Sequence, residues 1–378
     1  MKGRWPLIVG VVIAVAAIAG GVLAIRGGGK STPVTTLNCI GGSEKTTLMT
    51  DPDVTKILHD RYHLAVNFTP LGSYDQVQLT SAELKSRGID CLWPSSGSAQ
   101  LVFEKTHPTG TDFPAYRAET VLQSPEVLYA GPQGTEALVA HKIVEERNGH
   151  YFVVDMKKLL LELVLQHKNW ATLGARSIAG PINISSTDPA KSNSGFTLSQ
   201  LELIIVSTDD PYQPPTVEQA KKGLPQVRAL YDAQGLQAKS SDFGFDQWLL
   251  QGGELHAPLY AGYESQVIGK LVSYENDQPA LKQLLAQVRV LYPEPTIYAD
   301  HPILALDAPA VKLIDAMKDP DIQNIAWQRY GFRSGVALGT DVTYFKQLAL
   351  APRLRTTSPP NADVTLLLLH CIQDNVCQ

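Results

Sequence analysis

Residues 34–93 alternate between short apolar strands and amphipathic helices, and this order restricts the fold more than any other feature of the sequence. The pattern predicts strands over residues 34–40, 64–68 and 89–93, with helices around residues 54–62 and 81–87 between them. Strands that are joined through helices lie parallel in one sheet, because a parallel pair needs a long crossover connection. The sequence therefore predicts an α/β protein with an open parallel sheet in this part of the chain.

Polar segments rich in glycine and serine follow two of these strands. Residues 41–45 (G-G-S-E-K) come after the first strand, and residues 94–98 (P-S-S-G-S) come after the third. Ligands bind at the carboxyl ends of the strands in an open α/β sheet. The candidate ligand contacts in these loops are Ser43, Lys45, Ser95 and Ser96. The alternative is that such loops are ordinary strand–helix turns, with the lysine pointing to water.

Residues 180–195 (G-P-I-N-I-S-S-T-D-P-A-K-S-N-S-G) predict a second place of the same kind. The apolar, β-branched residues at 182–184 indicate a short buried strand, and the periodic apolar segment after the loop indicates a helix. Hydroxyls, backbone N–H groups and the helix dipole would together favour a polar or anionic ligand. Thr187, Ser192 and Ser194 are the candidate contacts, although Ser192 and Ser194 fit equally well as helix N-caps.

A fourth polar loop, G-Y-E-S-Q-V-I at residues 262–268, follows a small predicted strand and contributes Tyr263 and Glu264 as candidates. If the chain forms two α/β lobes that face one another, all four loops line the cleft between them. Such a cleft would enclose a ligand and exclude water from it.

The N-terminal segment predicts an association with a membrane. Residues 6–25 form an uninterrupted apolar stretch of 20 residues. A helix of that length spans about 30 Å, which is the hydrocarbon thickness of a bilayer. We expect residues 1–30 to be an uncleaved transmembrane anchor with a short linker, and a cleaved signal peptide is the alternative. The expected location is the bacterial cell membrane, single-pass, with the soluble part outside the cytoplasm.

The cysteines agree with an exported domain. Cys39 and Cys91 lie at the ends of predicted strands and would meet if those strands are neighbours, and Cys371 and Cys377 lie close together near the C-terminus. An even number of cysteines outside the cytoplasm predicts two disulfides, whereas four buried thiols would fit a cytoplasmic domain. The formal net charge of -5 argues against nucleic acid as a partner, because that role needs a basic face.

Motifs for catalysis or metal binding are weak. His59 and His63 stand at i and i+4, but Asp60 replaces the glutamate of a metalloprotease motif, and no third ligand follows at a recognisable spacing. A solvated helix face explains them better. The sequence has neither a G-x-S-x-G elbow nor a phosphate-binding P-loop. We therefore predict no catalytic residues, no metal and no cofactor.

Taken in order, these features resemble a type II periplasmic (extracellular) solute-binding protein of ABC transport systems. The resemblance covers about residues 34–335 and rests on the four polar loops above and on two closing segments, L-Y-P-E-P-T-I-Y-A-D-H-P and D-P-D-I-Q-N-I-A-W-Q-R-Y-G-F-R. It implies two α/β lobes joined by crossing strands, which close over a ligand by hinge motion. Lobe 1 would comprise residues 31–127 and 290–378, and lobe 2 residues 128–289.

By position, Ser43, Ser96, Ser194 and Glu264 match the ligand-loop sites of that family. The resemblance implies a membrane-tethered binding protein without catalysis that captures a small polar solute, an oxyanion among the candidates, for an ABC-type permease. A membrane-tethered ligand sensor or assembly subunit is the alternative, and a tethered hydrolase is the rival class. An uncleaved anchor departs from the export signals usual in the family, which keeps another membrane complex among the candidate partners.

Overall fold

The computed structural model describes residues 32–235, 237–336 and 340–378. The predicted anchor and linker at residues 1–30 lie outside these ranges. Among the described residues, none of the helices combines the length and the apolar character needed to span a bilayer.

The strands are β1 (Thr35–Gly41), β2 (Leu64–Pro70), β3 (Cys91–Trp93), β4 (Arg117–Ala130), β5 (Val144–Arg147), β6 (His150–Val153), β7 (Ser186–Thr187), β8 (Gln237–Ala238), β9 (Leu259–Tyr263), β10 (Arg289–Pro293), β11 (Tyr298–Ala305) and β12 (Arg333–Ser334). The α-helices are α1 (Thr46–Met49), α2 (Pro52–Tyr62), α3 (Ser73–Gln78), α4 (Ser81–Ser86), α5 (Gly97–Thr106), α6 (Thr109–Asp112), α7 (Pro132–Ala140), α8 (Met156–Lys158), α9 (Asn193–Ser207), α10 (Val217–Ala233), α11 (Ser241–Leu250), α12 (Glu264–Ser273), α13 (Gln278–Gln287), α14 (Ala308–Met317), α15 (Pro320–Tyr330) and α16 (Ala362–Asp374). Shorter 3-10 segments cover Ser43–Lys45, Trp170–Leu173, Gly253–Leu255 and Val342–Leu348, and a π-helical segment covers Leu159–Val164.

One mixed sheet runs through the molecule in the order β2-β1-β3-β11-β4-β10-β6-β5, with β9 and β12 also paired to β4. Strand β1 pairs in parallel with both β2 and β3, as the β-α-β-α-β pattern predicted. Strand β11 then pairs antiparallel with both β3 and β4. The N-terminal unit is thus closed on one side by a strand that comes from much later in the chain.

Strand β4 passes from one half of the sheet to the other. Its residues up to Pro125 pair with β11, and its residues from Glu126 onward pair with β9 and β10. We call β1, β2, β3, β11, β12 and the first part of β4 the first half-sheet. The second part of β4 with β5, β6, β9 and β10 forms the second half-sheet. Local patterning indicates a strand only over residues 127–130, because the charged and polar residues at 117, 119, 120, 123 and 124 obscure the alternation of the earlier part.

The strand predicted at residues 182–184 was wrong. These residues have no regular structure, although Ile182 and Ile184 are buried, and the strand is the two-residue β7 further along. This segment joins the second half-sheet at Ser185, whose backbone N–H donates to the Leu259 carbonyl and whose carbonyl accepts from the Ala261 amide, and at Ser186, whose hydroxyl donates to the Ala261 carbonyl. The isoleucines are therefore held by packing into an apolar cluster, not by a ladder of hydrogen bonds.

Apolar clusters cover both half-sheets, and one of them continues from the first to the second. That shared cluster is built around the C-terminal helix α16, which packs against both α5 and α10. The structure pairs the cysteines as the sequence predicted. Cys39 and Cys91 lie opposite one another on β1 and β3, and Cys371 is joined to Cys377.

Candidate functional site

A cavity of about 210 Å³ lies between polar loops from two sides of the molecule. On one side it is lined by residues 42–44, residues 70–73 and Ser95, which follow strands of the first half-sheet. On the other side it is lined by residues 191–193 and 239–241, which follow β7 and β8, two strands that pair only with each other among the described residues. The loop after β1, the N-terminus of α3 and the N-terminus of α9 therefore converge on one space. Most of the side chains there are hydroxyls or amides, which can both donate and accept hydrogen bonds.

A second, larger cavity of about 560 Å³ adjoins the same loops. It lies between α1 and α15 on one side and α11 and α12 on the other, and its walls include Phe245, Tyr330 and Phe332. Glu44 lines both cavities. This carboxylate therefore lies where the smaller and the larger cavity meet.

Glu44 belongs to a buried polar cluster beneath the cavities. The Lys45 ammonium donates to Glu44 Oε1 at 2.6 Å and to the Ser95 hydroxyl at 2.8 Å, and it lies 3.2 Å from His301 Nδ1. The Ser95 hydroxyl in turn donates to Glu44 Oε1. Lys45 is fully buried, whereas the Glu44 side chain keeps 8% of its surface exposed. The positive end of this ion pair thus points into the protein and the negative end faces the cavities.

The protonation states of the cluster follow from these contacts. Burial opposes ionisation of Glu44, but the adjacent Lys45 charge and the hydrogen bonds from Lys45 and Ser95 outweigh it, so the pKa of Glu44 falls to about 2. Burial, with a smaller effect of the Lys45 charge, lowers the pKa of His301 to about 3. At neutral pH the cluster therefore holds a carboxylate, an ammonium and a neutral imidazole.

Asn193, the first residue of α9, connects the two half-sheets. Its Nδ2 donates to the Ser95 carbonyl at 2.7 Å, to the Tyr263 hydroxyl at 2.9 Å and to Thr197 Oγ1 at 3.1 Å. Because a carbonyl can only accept, the contact with Ser95 fixes which side of the amide is nitrogen. The amide oxygen is buried and has no hydrogen-bond partner in the described part of the chain.

Four of the nine predicted ligand contacts lie at this site. Ser43, Ser95 and Ser192 line the smaller cavity, and Ser192 occupies the N-cap position of α9 without making a side-chain capping bond. Lys45 lies directly beneath the cavity, where it holds Glu44 and Ser95 in place. It does not point to water, because its carboxylate and hydroxyl partners compensate the cost of its burial.

Ser96, Thr187 and Ser194 line neither of the two cavities. Ser96 caps α5 by accepting from the Ser98 amide at 3.1 Å, and Thr187 accepts from the Gly195 amide at 2.7 Å. These hydroxyls satisfy helix ends and loops, which was the alternative for serine-rich loops. The Ser194 hydroxyl is buried without a partner among the described residues.

Tyr263 and Glu264 also lie outside both cavities. The Tyr263 hydroxyl accepts from Asn193, and the ring packs edge-on against His301. Tyr263 therefore holds these two residues of the site in place. Glu264 accepts a bidentate pair of hydrogen bonds from Arg333, both at 2.7 Å, and a further one from the Tyr292 hydroxyl at 2.5 Å. Its oxygens are thus saturated by the protein.

Sequence reasoning missed Glu44, Asn193 and His301. Glu44 lies inside the G-G-S-E-K loop and Asn193 lies between two predicted serines, so the loops themselves contained the signal. His301 comes from β11, far along the chain, and nothing local marks it. Within the described ranges, no group of three His, Cys, Asp or Glu side chains is placed to hold a metal ion.

Comparisons with known proteins identify the fold. No protein-family profile matches this chain, and no curated protein does either. Among solved structures, a periplasmic thiamin binding protein is similar with a TM-score of 0.58 at 13% identity, covering 92% of this chain and 98% of that one. The ferric binding protein from Campylobacter jejuni is similar with a TM-score of 0.57 at 13% identity, covering 90% and 99%.

The sulfate-binding protein SubI from Mycobacterium tuberculosis H37Rv is similar with a TM-score of 0.52 at 13% identity, covering 87% of this chain and 96% of its own. These three proteins differ in what they bind, and at this level of identity the likeness concerns the fold. The chain has the mixed α/β, two-lobed fold of periplasmic solute-binding proteins.

Proposed function

We propose that this chain is an extracytoplasmic solute-binding protein that captures a small polar solute between two lobes. The observation that carries the proposal is the cavity lined by polar loops from both proposed lobes. Its lining of hydroxyls, one amide, one carboxylate and two lysines suits a polar ligand that is enclosed on closure. The fold supports the same role, since the three similar solved structures named above are binding proteins.

The proposed lobes are residues 31–127 with 290–378, and residues 128–289. In support, β4 changes its pairing partners near the first boundary, and β10 and β11 run back near the second. These crossing segments would bend as the lobes move relative to one another, which is the geometry of hinge closure.

Binding without catalysis is the better proposal for this site. His301 interacts with Lys45 and is not placed on a serine, so the cluster lacks a nucleophile with its base. Glu264, which a hydrolase would use, is occupied by Arg333.

We further propose a membrane tether through residues 6–25 and delivery of the solute to an ABC-type permease. The two disulfides support an extracytoplasmic location, because such bonds persist in oxidising compartments. A tethered ligand sensor or assembly subunit is the second candidate. A sensor or assembly subunit would bind its ligand in the same cleft. Unlike a transport protein, it would not associate with a permease in a solute-dependent way.

Thermal unfolding of the full-length protein against a panel of solutes tests the proposal. The panel contains thiamine, sulfate, phosphate, ferric citrate, sugars, amino acids and small amines. A ligand at a hundred times its dissociation constant stabilises the fold by about 2.7 kcal/mol, which raises the melting temperature by a few degrees. A shift caused by one chemical class supports solute binding. If no class raises the melting temperature, the proposed function is wrong.

A further inference from the structure

The direction of the Glu44–Lys45 ion pair determines which charge the cavities present to a solute. Lys45 is completely buried and lines neither cavity, whereas Glu44 lines both. Within the pair, Glu44 Oε1 accepts from both Lys45 and Ser95. Glu44 Oε2 lies 3.5 Å from the Ser241 hydroxyl, at the limit of a hydrogen bond, so this oxygen retains accepting capacity.

A second acceptor lies on the opposite wall. Asn193 lines the smaller cavity with only 6% of its surface exposed, and its Oδ1 has no partner among the described residues. A buried amide oxygen without a donor is costly, because burial removes its hydrogen bonds to water. Glu44 follows β1 and Asn193 begins α9, and both residues line the smaller cavity, so a solute that donates to both would connect the two sides.

The remaining charged side chains around the cavities are paired within the protein or exposed to water. In the larger cavity, Asp246 pairs with Lys270 at 2.7 Å, and Arg329 pairs with Asp51 at 2.8 Å. At the edge of the smaller cavity Lys239 is exposed, and the ammonium of Lys191, which is 61% exposed, pairs with Asp188 at 3.0 Å. These ammonium groups lie where water screens them, whereas Glu44 lies where water is scarce.

We propose that the solute carries a positively charged nitrogen with N–H groups, such as an ammonium, amidinium or guanidinium, which donates to Glu44 Oε2 and Asn193 Oδ1. This inference rests on the proposed solute-binding function and specifies the chemistry of its ligand. A charge-assisted hydrogen bond to a carboxylate is stronger than a neutral one. An oxyanion in the same position would face the carboxylate and an unpaired acceptor, and both interactions are unfavourable.

Aromatic side chains in the wall of the larger cavity suit the rest of such a solute. Phe245 and Phe332 line that cavity, and Glu44 stands at its junction with the smaller one. A cation with a short hydrocarbon or aromatic body can place its nitrogen at Glu44 and its body against these rings. Aromatic faces also attract cations, which adds to the preference.

Two charge-matched series of small molecules test the inference on the full-length protein. The first series is 1,4-diaminobutane, 1,4-butanediol and succinate, and the second is benzamidine, benzyl alcohol and benzoate. Dissociation constants come from calorimetric titration, with thermal shifts as the second readout. We expect the nitrogen cation of at least one series to bind about tenfold tighter than its alcohol, since a hydrogen bond to a charged group contributes roughly 1.5–3 kcal/mol.

The double variant Glu44→Gln/Lys45→Met removes the ion pair as a unit, so neither charge is left buried alone. We expect it to reduce the preference for the cation to less than about threefold. The matched control is Glu119→Gln/Lys318→Met, which removes another Glu–Lys ion pair, one that lies on the surface away from both cavities. This control should keep the preference of the wild type. Circular dichroism establishes that each variant is folded, and if the Glu44 variant is not, the wild-type series decides alone.

The outcomes separate this inference from the proposed function. A cation preference that disappears in the Glu44 double variant supports the inference. If the carboxylates bind best, if the cations bind no better than the alcohols, or if the preference survives in the double variant, the inference is overturned. If only sugars or oxyanions of the earlier panel bind, solute capture stands and the inference fails. If nothing binds, both fail.

Discussion

Two ion pairs of this protein are similarly buried but differ in whether a carboxylate oxygen is left accessible to a solute. Glu44 pairs with Lys45, and Glu264 pairs with Arg333, and all four side chains are at most 8% exposed. The sequence predicted both carboxylates in polar loops after strands, but only Glu44 lies in such a connection, since β9 passes directly into α12 at Glu264. Glu264 has both oxygens occupied by Arg333 and a further bond from Tyr292, whereas Glu44 has one oxygen directed to a cavity wall.

This difference indicates that the Glu264–Arg333 pair stabilises the fold, whereas the Glu44–Lys45 pair can contribute to a binding site. Glu264 begins α12 beside the second half-sheet, and Arg333 lies on β12 of the first, so their ion pair fastens the two halves together. Arg333 also donates to the Ala351 carbonyl at 2.9 Å, which leaves this ion pair little capacity for a solute. In the Glu44 pair, Oε1 accepts from Lys45 and Ser95, whereas Oε2 is directed to a cavity wall.

The largest effect is expected at the saturated pair. Glu264→Gln leaves the Arg333 guanidinium buried without its counter-ion, which should reduce the free energy of unfolding by about 3–5 kcal/mol. Urea unfolding followed by circular dichroism measures it. The double variant Glu264→Leu/Arg333→Met should recover most of the loss, because replacing a buried pair by apolar side chains is often neutral. A loss below about 1 kcal/mol in the single variant would contradict a structural tie.

A smaller loss is expected at the open pair. Lys45→Met leaves Glu44 without its ammonium, but the Ser95 hydroxyl still donates to the carboxylate and 8% of the side chain stays exposed, so we expect a loss of about 2–3 kcal/mol. The pKa of Glu44, now about 2, should rise in this variant. In the wild type, the stabilisation from Glu44 is complete above about pH 4.5 and disappears as the pH falls through the lowered pKa of this group. In the variant that decline should begin at a higher pH, and identical pH profiles would refute the coupling.

His301 allows the pH dependence of the same cluster to be measured. Its pKa is lowered to about 3, while an unfolded histidine titrates near 6.5. The unfolded state therefore binds a proton that the folded state excludes, and stability falls as the pH falls from about 6.5 to 3. Relative to His301→Gln, the wild type should lose up to about 1.4 kcal/mol per pH unit in that window. Parallel unfolding curves between pH 7 and pH 4 would show that His301 does not titrate in this way.

The smallest effects distinguish two serines that the sequence treated alike. Ser96 caps α5, so Ser96→Ala should cost about 1 kcal/mol of stability and leave solute affinity unchanged. Ser192 lines the cavity and makes no capping bond, so Ser192→Ala should change stability by less than about 0.5 kcal/mol and weaken the binding of the solute. Unfolding and titration of both variants measure the contrast. If Ser96→Ala were the variant with weaker binding, the division between caps and site would be wrong.

Local patterns predicted a large part of this fold. The β-α-β-α-β unit follows from alternating apolar periods, and the helix after residue 192 follows from its apolar repeat. The pairing of Cys39 with Cys91 follows from adjacent strands. The same patterns could not show that β4 continues from one half-sheet to the other, since half of its length reads as polar. Such pairing is decided by strands that arrive from distant parts of the chain.

The site was predicted only at the level of loops. Serines after strands can cap helices or face a cavity, and the choice depends on how loops from both half-sheets meet. The partner of Glu264 is Arg333, which lies on a different strand far along the chain, and the histidine beside Lys45 comes from β11. Contacts between residues so far apart in the chain leave no periodic signal, so the sequence could place Lys45 at the site without showing that it is buried.

The most direct test is to fill the smaller cavity. Ser43 lines it, and Ser43→Trp would place an indole where the solute should lie without removing any charge. The matched control is Thr55→Trp, in a separate surface depression beside α2. With the best ligand of the thermal panel, calorimetric titration should show at least about a hundredfold loss of affinity for Ser43→Trp and no change for Thr55→Trp. Wild-type affinity in a folded Ser43→Trp protein would place the solute elsewhere and contradict capture between the lobes.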